Sequence, residues 1–539
     1  MKFWLKNKIK ELYPGVDFDV LTPPSPEMGD YSTNLAFVLG KQNKKDPREV
    51  GRDLIQKFSQ EEGLNKYFVN IEFAGSGFIN FYLSGDFLNK QLLKILEEKD
   101  NYCSGQKKNI SINMEFVSAN PTGPITVHNI RAAPFGDTLA NILEKIGYEV
   151  IREYYINDAG NQVRLLGESV ARRYVRLRGK EIEFPDNLYQ GAYIIDIAKD
   201  IEKEGLADKI DNFDELANIC RDYTVAKLTG DIKKSLKAMG VEFDVWFSEK
   251  KLHESGEIEN TLKMLEQGKH IYDKDEARWL KLNEQEGAVL VKTGGSYSYL
   301  MGDIAYTRNK FIRGADKAIN IWGTDHHGDV LRLLAGVKAL NYENGKLEIL
   351  LHQLVSIKSG GEKQKMSKRK GEFVLLDDLL KEAGKDAIRF FFLMKDLNTH
   401  MEFDVDLAKE QSKKNPVYYI QYAHARLNSI FRKLKVKNEK LKVKEGDINL
   451  LKEPEELQLM RKAAKFPELI EEIAGNYQVH HLAQYTLELA GDFHNFYEKQ
   501  RVGQEDKSLE RARLALCLAT AIVLKIALDL MGISAPEKM

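Results

Sequence analysis

The sequence predicts an α/β fold: a doubly wound parallel sheet at the centre, an N-terminal α+β unit before it, and a C-terminal all-α helical bundle after it. Three features of the chain predict this. From Ile110, apolar Ile110, Ile112, Met114 and Phe116 alternate with Ser111, Asn113 and Glu115, which is the period of a strand. After a polar loop, Phe135, Leu139, Ile142, Leu143 and Ile146 recur at helical spacing, and Tyr148 to Tyr155 reads as another strand. This β-loop-α-β unit is the opening of a doubly wound sheet. Third, from about residue 396 to the end almost every segment is helical in pattern, with apolar stripes in Tyr418 to Phe431, Leu482 to Phe496 and Leu514 to Met531.

In chain order, residues 1–108 read as helices and strands around the turn PPSPEMGD (Pro23 to Asp30). They end in FAGSGFINFYLS (Phe73 to Ser84), where glycines and apolar alternation suggest a strand pair. The sheet domain is expected over 109–395, and the bundle over 396–539. Between about 175 and 285, amphipathic helix mixes with short strands such as VEFDVWF (Val241 to Phe247), read as an insertion between two halves of the sheet. The sheet resumes near AINIW (Ala318 to Trp322), followed by the polar loop GTDHHGD and the helical run Val330 to Leu340.

Composition bounds the function. The 539 residues exceed what one hydrophobic core organises, and 43% apolar with 30% charged residues is the balance of a globular chain, not a disordered or collagenous one. MKFWLKNKIKELYPG has too short an apolar run for a signal peptide, and no later stretch is long enough for a bilayer span, so no membrane association and a cytoplasmic location are expected. Cys103, Cys220 and Cys517 are odd in number and too widely spaced for a metal knuckle, so neither a disulfide framework nor protein-bound zinc is expected. Eighty basic and eighty-one acidic side chains give a net charge of -1, which argues against a protein that coats a polyanion. Nucleic acid contact would use local patches: Lys363 to Lys370 (KQKMSKRK) and Arg432 to Lys444 (RKLKVKNEKLKVK).

The loop after the first central strand lies where open α/β sheets bind ligands, outside a strand's carboxyl end at a helix N-terminus, and Glu115 and Asn120 flank it. KMSKRKG (Lys365 to Gly371) packs four cations into seven residues with a serine and a closing glycine, suited to a loop that closes on a triphosphate. Alone, such a run is often no more than an exposed basic turn.

It stands within an ordered set. MEFVSANPTGP (Met114 to Pro124), REYYINDAGNQ (Arg152 to Gln162), FDVWFSE (Phe243 to Glu249), GDIAYTRNKF (Gly302 to Phe311), WGTDHHGDV (Trp322 to Val330) and KMSKRKGEFV (Lys365 to Val374) follow one another in the central region. FDVDLAKEQSKKNPVYYIQYAHAR (Phe403 to Arg426) and ISAPEKM (Ile533 to Met539) mark the bundle, and PEMGDYSTNLAF (Pro26 to Phe37) the N-terminal unit. Nearly end to end, this order resembles the class I aminoacyl-tRNA synthetases and, within them, the arginyl-tRNA synthetase family.

The resemblance implies a Rossmann-like catalytic domain. It implies a ligase that activates L-arginine with ATP to arginyl-adenylate and transfers it to the 3′ end of tRNA(Arg), releasing AMP and pyrophosphate. ATP would be a substrate, with Mg2+ bound to it. L-arginine and tRNA(Arg) would be the other partners, and the enzyme is expected to be a monomer. Residue by residue, the resemblance places arginine at Glu115, Asn120, Tyr299, Asp303 and Asp325. Carboxylates can pair a guanidinium fork and a tyrosine can stack on it. ATP falls to Pro121, Thr122, Gly123, Pro124, Thr126, His128, Asn129, Gly323, Lys365 and Lys368, with Lys365, Ser367, Lys368, Thr126, His128 and Asn129 in the catalytic set. Tyr418, Tyr422 and Arg426 would contact tRNA. His326 and His327 are adjacent on a loop with no third ligand nearby, and read as pocket wall, not as a zinc pair.

One departure falls in the first signature. The family's HxGH should follow PTGP, and here Thr126, Val127, His128 and Asn129 occupy the four positions. The family's glycine lets adenine lie on bare backbone, and His128 brings a side chain to that spot. Pro134, early in the following helix, is also unusual. Either His128 takes over a phosphate contact, or the chain is a catalytically impaired, tRNA-binding relative.

Overall fold

The computed structural model describes residues 1–75, 77–283, 286–363, 374–436, 441 and 443–539. The N-terminal unit is a four-stranded antiparallel sheet in the order Val20–Leu21, Tyr31–Thr33, Phe78–Leu83, Phe68–Ala74. Ile79, Phe81 and Leu83 alternate inward and are buried, as the glycine-flanked alternation predicts. Its helix Pro47–Ser59 starts where Asp46 accepts the Arg48 amide, with proline at the first position, where no amide is missed. The unit docks on the bundle: Tyr31 donates its hydroxyl to Glu468, and Lys465 pairs with Asp30.

The central sheet has five parallel strands in the order Leu347–His352, Lys317–Gly323, Ser111–Glu115, Glu149–Ile156, Val245–Ser248. Helix Ala132–Lys145 crosses one face so closely that a Cβ on Gly136 would lie 2.5 Å from the Phe116 ring, which is why a glycine stands there. Pro134 falls in the first turn of this helix, where its missing N–H removes no helical bond. Arg389, fully buried, knits the layers. It pairs with Asp137 of that helix and donates to the carbonyl oxygens of Gly240 and, from the end of the last bundle helix, Met531.

Two expectations are corrected here. The segment Val241 to Phe247 is not wholly insertion, because Val245–Ser248 is the edge strand of the central sheet, with Tyr155 opposite Phe247. The inserted material carries its own helical core, including Ile194, Ile197 and Leu216 packed with Leu166 and Val170 of the preceding helix Gly160–Leu177, and a three-stranded antiparallel sheet of Ile271–Lys274, Ala277–Lys281 and Gly287–Val291. Nor does helix begin at once after residue 396. Met401–Asp404 is a strand with Met401 and Phe403 buried, paired in parallel with Val355–Ser359. Helices Pro416–Lys433, Pro454–Ala464, Phe466–Asn476, His480–Lys499 and Lys507–Leu530 follow. Among the described residues no helix is long and apolar enough to cross a membrane.

Candidate active site

Glu115 is the last residue of the middle strand of the sheet, so its side chain emerges at the carboxyl edge. It is only 5% exposed. One carboxylate oxygen accepts from Lys310 Nζ at 2.6 Å, the other from Ser118 Oγ at 3.0 Å. Lys310 is fully buried and also donates to Asn320 Oδ1 at 2.8 Å. It comes from helix Tyr299–Ile312, which starts where Ser298 Oγ accepts the Met301 amide. Two turns earlier on the same face of that helix stands Asp303.

Asp303 is half-buried, and among the described residues no hydrogen bond reaches its carboxylate. Desolvation, then the charges of Glu115, Glu249 and Asp329, push its pKa up to about 8 against the pull of Lys310. A carboxyl raised in this way gains most from an incoming cation, because the cation offsets both the burial and the like charges. Behind it, Glu153 is fully buried and accepts both Arg313 Nη donors at 2.8 Å, the Tyr306 hydroxyl at 2.6 Å and Asn113 Nδ2 at 2.8 Å. Against its burial, Arg313, the charge of Lys310 and the Tyr306 hydroxyl hold Glu153 below the usual carboxylate range.

The structure thus gathers Glu115 and Asp303 into one acidic cluster. The other three residues expected at arginine are more open. Tyr299 is 71% exposed and stands at the first position of the helix that carries Asp303. Asn120 donates to Gln162 Oε1 at 3.1 Å. Asp325 lies on the turn after Gly323, at the carboxyl end of its strand, with His326 at 3.7 Å. His326 also tilts against Trp322. Sequence reasoning missed Lys310, Glu249 and Asp329. All three lie in quoted motifs, GDIAYTRNKF, FDVWFSE and WGTDHHGDV, but nothing in those motifs marked them as turned towards Asp303.

The loop beyond Glu115 is strained. Val117 has φ of 71° at the centre of a tight turn closed by Ser118 N–H to Phe116 O at 3.0 Å, a conformation β-branched residues avoid. Such residues cost about 1–3 kcal/mol each and persist where the surroundings impose them. Here Ser118 Oγ accepts the Tyr155 amide while donating to Glu115, and the Tyr154 hydroxyl donates to Ala119 O at 2.8 Å. Pro121 is buried, the Thr122 carbonyl accepts from the Tyr193 hydroxyl at 2.6 Å, and the Tyr193 ring lies close over Gly123 before Pro124.

The departing signature forms a turn: Asn129 N–H donates to Thr126 O at 3.0 Å, and Thr126 Oγ1 donates to Asn129 Oδ1 at 2.8 Å. His128 is half-buried within it. The amide of Val127 donates to Val374 O and that of Leu376 to Ile125 O, so this segment pairs with the residues just after position 373. Lys365, Ser367 and Lys368 lie outside the described residues.

In the bundle, a cavity of about 550 Å³ is lined by Tyr418, Tyr419, Tyr422, Arg426, His494 and Tyr497. The Arg426 guanidinium donates to the Tyr422 hydroxyl at 2.7 Å and lies over the rings of Tyr422 and Tyr497 at 5.4 and 5.3 Å. His494 stacks near Tyr422. The core face of the same helix is carried by Val417, Ile420, Ala423, Leu427 and Phe431, which leaves the two tyrosines and Arg426 half-exposed. Such a chamber can take a flat, unpaired ring between aromatic faces and a cation.

Comparison with known proteins gives three family matches along the chain. Residues 91–430 match the family described as tRNA synthetases class I (R), catalytic domain; 420–539 match the DALR anticodon binding domain; and 3–83 match the arginyl tRNA synthetase N terminal domain. The arginine–tRNA ligase of Carboxydothermus hydrogenoformans is 45% identical over 534 residues, 97% of this chain and 94% of that one. That of Thermotoga maritima is 43% identical over 532 residues, 97% and 96% of the two chains. Among solved structures, a putative arginyl-tRNA synthetase from Campylobacter jejuni superposes with TM-score 0.77 at 35% identity, over 85% of this chain and all of that one. The arginyl-tRNA synthetase of Thermus thermophilus, at 23% identity, shares the fold with TM-score 0.78 over 100% of this chain and 99% of that one.

Proposed function

The chain belongs to the arginyl-tRNA synthetase family, and from that premise we propose how its residues divide the work of an arginine–tRNA ligase. The reaction is ATP-dependent activation of L-arginine to arginyl-adenylate, followed by transfer to the 3′ end of tRNA(Arg) with release of AMP and pyrophosphate. The observation that carries our assignment is the cluster of Asp303 and Glu115 at the carboxyl edge of the sheet, reached by the same loop that leads into the Thr126–Asn129 turn. Asp303 takes the guanidinium, with Glu115 beside it, and Tyr299, Asn120 and Asp325 close the open side. Residues Pro121 to Pro124, Thr126, His128, Asn129 and Gly323 face ATP.

Activation needs no covalent enzyme intermediate. The arginine carboxylate attacks the α-phosphate in line and pyrophosphate leaves, so the enzyme contributes position and charge. Lys365, Ser367 and Lys368 stabilise negative charge as it moves onto the leaving pyrophosphate. The donors around the turn are hydroxyl, imidazole and amide groups, suited to phosphate oxygens and not to holding a metal by themselves. We therefore assign magnesium to the ATP phosphates. In the second step the terminal ribose hydroxyl of tRNA attacks the activated carbonyl and AMP departs.

We assign residues 1–108 to tRNA contact, 109–395 to chemistry and 396–539 to the anticodon region, in a cytoplasmic monomer. Tyr418, Tyr422 and Arg426 would hold an unpaired anticodon base, a role supported by their shared cavity. Arg426→Ala should raise the tRNA KM about tenfold by removing the cation beside the stacked ring, with the KM values for arginine and ATP unchanged. Aminoacylation with an unaltered tRNA KM would remove this assignment. The function as a whole is tested by ATP–pyrophosphate exchange with arginine, in the presence of tRNA(Arg). We expect exchange. None above background would restore the impaired alternative, which no comparison supports.

A further inference from the structure

We propose that Lys310 is a counter-ion built into the substrate pocket, a positioning residue whose buried ammonium pairs with Glu115 and aims it so that Asp303 can receive the charge of the substrate guanidinium. The inference rests on the assignment of this pocket to arginine.

The geometry is specific. Lys310 is fully buried, so its charge cannot be shared with water. Its ammonium has three protons: one goes to Glu115 at 2.6 Å, one to Asn320 at 2.8 Å, and the Tyr306 ring lies 4.4 Å from the nitrogen. A buried ammonium without a carboxylate would be driven to lose its proton, so its charge and that of Glu115 depend on each other. A cation beside a cation-binding site lowers affinity by direct repulsion. It becomes useful when two carboxylates share a pocket, because like charges resist ionising together. With Lys310 present, the pocket holds one ammonium and, once substrate enters, one guanidinium to balance the two carboxylates. Among the described residues each Glu115 oxygen accepts one hydrogen bond, which leaves each a lone-pair direction that a substrate donor can use.

The groups that bear on this balance come from every element around it. Glu115 lies on strand Ser111–Glu115, Glu153 and Tyr155 on strand Glu149–Ile156, and Glu249 heads helix Glu249–Glu254. Asp329 is on helix His327–Ala339, while Asp303, Tyr306 and Arg313 share or adjoin the Lys310 helix. Removing one positive charge from this set must make the remaining carboxyls harder to ionise.

The test is Lys310→Met, which keeps length and apolar stem, beside Lys310→Arg, which restores the charge. Exchange kinetics with tRNA bound should show the arginine KM of Lys310→Met raised about tenfold with the ATP KM unchanged, and the rise of arginine kcat/KM with pH displaced upward by about one unit. Lys310→Arg should recover most of both. A lower melting temperature with arginine KM and pH profile as in the wild type would overturn the proposal, as would parallel changes in arginine and ATP KM. Should Lys310→Met fail to fold, Glu115→Gln with Lys310→Met removes both buried charges together; it should fold, raise the arginine KM and keep the ATP KM, and a wild-type arginine KM in it would equally overturn the proposal. A wild-type enzyme that fails to exchange with arginine would instead sink the pocket assignment itself.

Discussion

Replacing Asp303 by alanine should cut arginine kcat/KM by about 30- to 5,000-fold, the equivalent of about 2–5 kcal/mol for the loss of one partner of a buried charge pair. The KM for ATP should stay close to that of the wild type, since the change is confined to the guanidinium end. An unchanged arginine KM and turnover would refute the assignment. The pH dependence gives an independent check. Asp303 titrates near 8 in the substrate-free pocket, so at neutral pH it is mostly protonated and must release that proton to pair with arginine. Arginine kcat/KM should therefore rise with pH towards about 8 and level off above it. In Asp303→Asn this rise should disappear. Glu115, Glu249, Asp329 and Lys310 all face this carboxyl, so the apparent value belongs to the cluster. The same raised pKa lowers the stability of the substrate-free fold as pH climbs from the unfolded carboxyl value towards 8, because the unfolded chain ionises first.

Much of the fold was legible because two periods collide in the right order. Strand Ser111–Glu115 alternates every second residue, helix Ala132–Lys145 recurs at three and four, and Glu149–Ile156 returns to two. What escaped was short and peripheral. Val245–Ser248 offers four residues at the sheet's edge, all half-buried, so no alternation sets it apart from a strand of the insertion. Met401–Asp404 does alternate, but its partner Val355–Ser359 lies far back in the chain, and nothing local announces the pairing.

The site divides in the same way. Asp303 and Glu115 could be named because their chemistry suits a guanidinium and their motifs resemble a family. Lys310 could not, because on helix Tyr299–Ile312 it follows Arg308 and precedes Arg313, and a charged residue among charges reads as surface. Burial is a property of packing, and only the packed helix shows that Lys310 points inward to Glu115. The aromatic chamber shows the converse. Tyr418 and Tyr422 share a helical face, which leaves bundle core and ligand surface equally open; His494 and Tyr497, from a helix more than sixty residues on, decide for a cavity.

At His128 the sequence departs from the family pattern, and the expected result follows from its setting. His128→Gly should slow arginine activation by about 10²- to 10³-fold, the scale seen when one transition-state donor is lost. The arginine KM should change little. Thr126 and Asn129 are already bonded to each other through Thr126 Oγ1, and Val127 is tied to Val374, so the turn presents His128 from a fixed backbone. On the proposed assignment, a donor held in this way would need no reorganisation as charge develops on phosphate. On the same assignment, Thr126 and Asn129 would supply the hydroxyl and amide of a phosphate site without the family's glycine. Single-turnover adenylate formation in the presence of tRNA separates the two roles. Slower chemistry with ATP KM near the wild type would mark His128 as a phosphate donor. A lower ATP KM with faster activation would mean that the imidazole only obstructs the adenine platform, and that the family's bare backbone remains the better arrangement here too.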